Sequence, residues 1–172
     1  MKKNLDWPDV YDIDRKTGAL ILGSNRLDDY AKKYLEHRCP EVLDTPMPLP
    51  IDKILNAEGL KVEYVTLSKN TDIFGCCLLI DDYVDVYDAK TDEFHREKYN
   101  AGTILIDSEY GFSYDKYAQR NTLVHEALHW EKDRKFFEIL KIRKPSLVRP
   151  IMCRRSSAFY EPPDKKKMTK TQ

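Results

Sequence analysis

Long hydrophobic runs are missing from this chain. The longest unbroken apolar stretch is Cys76-Cys77-Leu78-Leu79-Ile80, far short of the roughly 20 residues that span a bilayer, so no membrane segment is expected. A secretory leader is missing as well. Met1 to Asp6 carries lysines, but no apolar stretch follows, and the protein is therefore read as cytoplasmic. Disulfide chemistry has little to work with: Cys39, Cys76, Cys77 and Cys153 form no C-x-x-C pair and are read as buried free thiols. Net charge is zero over 172 residues, with 29 basic and 29 acidic side chains. The balance is uneven, however. Residues 141–172 hold ten Lys/Arg against two Asp/Glu, a net +8, which leaves −8 on residues 1–140. An acidic folded part disfavours direct nucleic-acid binding, and the basic excess reads as a solvated tail.

What is present is enough apolar residue for one core and a clear alternation of patterns. There is no internal repeat. Leu27, Tyr30, Ala31, Tyr34 and Leu35 follow a 3.6-residue period and predict a helix, capped by Ser24 or Asn25 and closed by Cys39-Pro40. Pro40, Pro46, Pro48 and Pro50 make residues 40–50 an extended connector. A short helix from Ile51 ends at Gly59. Leu60, Val62 and Tyr64 then alternate with charged residues as a half-buried strand. Residues 73–80, 83–87 and 102–107 read as further strands, 88–101 as a charged loop, and 117–140 as one long helix. The expected organisation is an N-terminal extension (1–45) with an amphipathic helix, a core (46–144), and an irregular basic tail (145–172).

Chemistry concentrates on the long helix. His125 and His129 stand four residues apart with Glu126 beside the first. One helical turn brings positions i and i+4 onto one face, where two imidazoles reach a single zinc ion at about 2.0–2.1 Å. Glu126 is too far round to be a ligand but is placed to act as general base on a water at the metal. The bland alternative is a helix that happens to carry two histidines; His37 and His95 are read that way.

Residues 50–140 resemble the ImmA/IrrE metallopeptidase family. The likeness rests on Pro50-Ile51 opening a helix, Glu58-Gly59-Leu60-Lys61-Val62 entering a strand, Gly75 in the next strand, Thr103-Ile104-Leu105-Ile106-Asp107, and Arg120-Asn121-Thr122-Leu123-Val124-His125-Glu126-Ala127-Leu128-His129. It covers about half the chain. The resemblance implies an α+β, zincin-like metallopeptidase core, with a small mixed or antiparallel sheet beside a long active-site helix. It further implies a protein or peptide substrate, a helix-turn-helix repressor in the best-known members, held as an added strand on a sheet edge near the zinc.

A catalytic zinc takes three protein ligands and keeps one open position. The resemblance implies that the third is an acidic residue on a later helix, and no helical pattern follows residue 145. Only Glu161 and Asp164 remain as carboxylates after Glu138. Either Glu161 or Asp164 serves from an unusual loop, with Glu161 the named candidate, or the chain stops before the ligand helix, as a truncated sequence or a shortened gene product. Three functions therefore stand side by side: a zinc endopeptidase, a degenerate family member working as a binding or regulatory module, and a zinc-independent protein whose basic tail binds nucleic acid.

Overall fold

A computed structural model describes residues 12–13, 20–21, 23–109, 116–143 and 151–154. Strands β1 (Asp12–Ile13) and β2 (Leu20–Ile21) form a small antiparallel pair. After a 3-10 turn, Ser24–Arg26, helix α1 (Leu27–Arg38) turns Tyr30 and Tyr34 inward. Its N-terminus carries no side-chain cap, in contrast to the expected Ser24 or Asn25. Within the proline-containing connector the chain winds into a single turn, α2 (Glu41–Asp44), because Pro40 has helical φ and ψ and leads it in. Helix α3 (Ile51–Glu58) ends as expected at Gly59, whose φ of 72° is the left-handed cap conformation.

The central sheet has four strands in the order β3 (Lys61–Val65), β7 (Thr103–Asp107), β4 (Ile73–Cys77), β8 (Ile151–Arg154). β3 runs parallel to β7; β4 is antiparallel to both of its neighbours. The period-2 alternation sorts the side chains. Ile104, Ile106 and Cys77 join one core cluster with Leu123, Ala127, Trp130 and Phe137 of the long helix α4 (Lys116–Arg143) and with Ile54 and Leu55 of α3. Leu105 and Cys76 join the other, with Leu67, Val84, Val86 and Tyr99. The second cluster lies under a hairpin of β5 (Asp82–Asp88) and β6 (Glu93–Tyr99). With helix on one face and hairpin on the other, every residue of β7 is buried.

The architecture is α+β, with small sheets and a long helix. Two further segments differ from expectation. Residues 88–101 are not loop throughout: 89–92 form a turn and 100–101 leave the strand, but β6 between them pairs with β5 along its full length, from Asp82–Tyr99 to Asp88–Glu93. The hairpin buries only Val84, Val86 and Tyr99 with any completeness, so β6 shows little apolar alternation and owes its form to its partner. Inside the tail read as irregular, Ile151–Arg154 adds β8 to the open side of β4, satisfying backbone groups that β4 would otherwise expose.

Two devices hold α4 in place, one against the sheet and one against the other helices. At Gly75 of β4, an added Cβ would lie 2.9 Å from the Leu105 carbonyl oxygen and 3.1 Å from Thr122 Cγ2, one turn before Glu126. Only glycine lets the strand approach that closely. Gly75→Ala is expected to lower stability by about 1–3 kcal/mol through overpacking, read as an earlier urea midpoint; an unchanged midpoint would show that the strand and helix have slack. Across the helix layer, Arg38 Nη2 bonds Glu131 Oε2 of α4 at 3.0 Å and also pairs with Glu58 of α3. All three side chains are largely buried, at 17%, 13% and 4% exposure, so Arg38→Ala strips the cation from two desolvated carboxylates. A loss of about 3 kcal/mol follows, and thermal denaturation that shifts by no more than a surface substitution would refute it.

Candidate metal centre

The site is built on the middle of α4, where the helix passes β4. His125 and His129 come together as their spacing predicts. Their rings meet edge to face, with centroids 4.7 Å apart and planes at 75°, and the two Nε2 atoms are 3.1 Å apart. Two nitrogens bound to one tetrahedral ion at about 2.0–2.1 Å lie roughly 3.3 Å from each other. The pair therefore fits two corners of a zinc site with almost no adjustment. Burial of part of the ring, and after it the neighbouring His129 and Lys132, push the His125 pKa down. That favours the neutral imidazole, the form that binds metal.

On its other side, His129 meets a carboxylate. Nδ1 lies 3.0 Å from Asp133 Oδ2, and Lys132 Nζ lies 3.3 Å from the same oxygen. Asp133 has no solvent exposure. Neither residue stands out in the sequence reading, although Asp133 follows His129 by the same four-residue step that joins His129 to His125. The signal was there in the spacing, hidden because metal-ligand patterns are read for histidine and glutamate rather than for the residue behind the ligand.

The chain matches no protein-family model, no curated protein and no solved structure.

Glu126 is the second surprise of placement. His125 is open to solvent, but Glu126 is wholly buried, on the side of α4 that faces the sheet. Its charge is felt there by Cys76 and Cys77 of β4. Burial chiefly, and then Glu126, pushes the Cys76 thiol up to about 12 and raises Cys77 in the same way. Both are free thiols, as is buried Cys39, in line with the sequence expectation.

The expected third ligand, Glu161, and its alternative, Asp164, lie outside the described residues. Among the described residues no group of three His, Cys, Asp or Glu side chains is arranged to hold one ion. His95 sits away on the hairpin with its Nε2 2.7 Å from Glu97 Oε1, and His37 is exposed near the end of α1. The β4 strand beside the site is not a free sheet edge, since β8 covers its outer side. Among the described residues, no helix is long and apolar enough to cross a membrane.

Proposed function

We propose that the chain is a zinc-dependent endopeptidase of the ImmA/IrrE type. The observation that carries this reading is the His125–His129 pair, with its two Nε2 atoms at the separation two zinc ligands need. His125 and His129 would hold the ion through Nε2, and a carboxylate outside the described residues, Glu161 in the first instance, would complete the set. A bound zinc ion supplies Lewis-acid chemistry that acidifies water and polarises a carbonyl. Glu126 takes the proton from the attacking water and returns it to the leaving amine.

The substrate under this reading is an extended stretch of protein, with a helix-turn-helix repressor as the specific proposal. Strand addition beside the site must reckon with β8, which already holds the outer side of β4. A substrate strand either pairs with β8 in turn or takes its place.

A second reading is favoured by two observations: the described residues supply only two metal donors, and the base is fully enclosed. Both suit a family member that keeps the fold and has become a binding or regulatory module. Zinc content and affinity of the purified 172-residue chain, followed by hydrolysis of a peptide library, separate the two. One tightly held zinc and cleavage support the peptidase. Zinc without cleavage supports the module. A folded chain with no zinc overturns the metal reading.

A further inference from the structure

Asp133 has no place in a zinc site of two histidines and one distant carboxylate, yet it is fully buried and in hydrogen-bond contact with one member of that pair. A carboxylate excluded from water is expensive unless it is paired and hydrogen-bonded. Asp133 Oδ2 has two partners, His129 Nδ1 at 3.0 Å and Lys132 Nζ at 3.3 Å, while its Oδ1 is buried with no hydrogen-bond partner. An acidic side chain kept in that position with half its acceptor capacity unused makes poor sense as a stabilising feature. It makes sense as a device aimed at the imidazole.

We infer that Asp133 is a positioning residue that sets the tautomer and ring orientation of His129 for metal binding, with Lys132 supplying the countercharge. The inference rests on the zinc reading above. The geometry dictates the proton's position. An ionised carboxylate only accepts, so the hydrogen bond at Nδ1 must be donated by His129. A neutral imidazole with its proton on Nδ1 has a lone pair on Nε2, the atom that faces His125. The 3.1 Å contact between the two Nε2 atoms must then be donated in the other direction, by His125. The two histidines therefore differ before metal arrives. His129 is already in its ligand form and locked by a buried partner. His125, open to solvent, carries its proton on the metal-facing nitrogen; binding zinc through Nε2 requires that proton to leave to solvent while Nδ1 takes one up, so the ring stays neutral.

Two measurements test this. Long-range proton–nitrogen NMR on the metal-free protein reads the tautomers directly and needs no variant: His129 is expected as the Nδ1–H form and His125 as the Nε2–H form. Zinc affinity, measured with zinc ions against a chromophoric chelator, is expected to fall about 10–100-fold in Asp133→Ala, with the His129 signal shifting to a tautomer mixture. Asp133→Asn keeps an oxygen that accepts from Nδ1, and should retain the tautomer and most of the affinity; it also serves if the alanine variant does not fold. An Nε2–H His129 in the wild-type protein overturns the inference. So does wild-type zinc affinity in a folded Asp133→Ala. In either case a wild-type chain that still binds zinc leaves the metal site intact and removes only the role of Asp133. A wild-type chain that takes up no zinc overturns both.

Discussion

Zinc retained by the purified chain is expected to fall to background in His129→Ala and equally in His125→Ala, while the two variants part company in stability. Each removes one of the two donors that meet at 3.1 Å. The loss of a direct ligand should exceed the roughly 10–100-fold effect of losing an outer partner. The rest of each side chain's surroundings sets the second outcome. His125 is exposed, and its replacement resembles an ordinary surface change, within about 0.5 kcal/mol. His129 is largely covered and is the hydrogen-bond donor to Asp133, which has no solvent exposure. Its removal leaves that carboxylate with Lys132 alone, at a cost of about 1–3 kcal/mol. Metal analysis beside urea denaturation reads both quantities. Undiminished zinc in either variant would sink the site assignment. Equal stability of the two would show that Asp133 does not depend on His129.

The difference between the two histidines marks how far the sequence could be read. Their spacing on a periodic helix was enough to bring them together, because both the helix and the i, i+4 relation are local properties of residues 116–143. The buried strand at Thr103–Asp107 and the cap at Gly59 were legible for the same reason: each is written in a few consecutive residues. What escaped depends on partners distant in the chain. β6 has the composition of a loop and becomes a strand only by lying against β5. β8 is four residues long, too short for a period to show, and exists through backbone pairing with β4. The burial of Glu126 belongs to the same class. On a bare helix it would point past the histidines toward solvent, and it is enclosed because its side of α4 packs against β4, where Cys76 and Cys77 feel its charge.

That enclosure gives the second large prediction its edge. Glu126→Gln is expected to leave zinc content unchanged and to reduce peptide hydrolysis by about 10²–10⁴-fold, the usual contribution of a positioned base. The same substitution replaces a fully buried carboxylate by a neutral side chain of equal size. Since an enclosed charge carries a desolvation penalty, the variant should be at least as stable as the wild type. The neighbouring thiols report on the change independently: with the Glu126 charge gone, Cys76 and Cys77 lose one of the influences that hold their pKa values up, though burial, the larger cause, remains. A catalytic and a structural role therefore predict opposite combinations. Lost hydrolysis with full stability and full zinc identifies Glu126 as the base. Lost stability with hydrolysis retained per folded molecule identifies it as a packing residue and removes it from the mechanism. If the wild-type chain binds zinc but cleaves nothing, a stability gain in Glu126→Gln would mean that the buried charge is kept at a cost without present catalytic use. A regulatory descendant of a peptidase would carry such a residue.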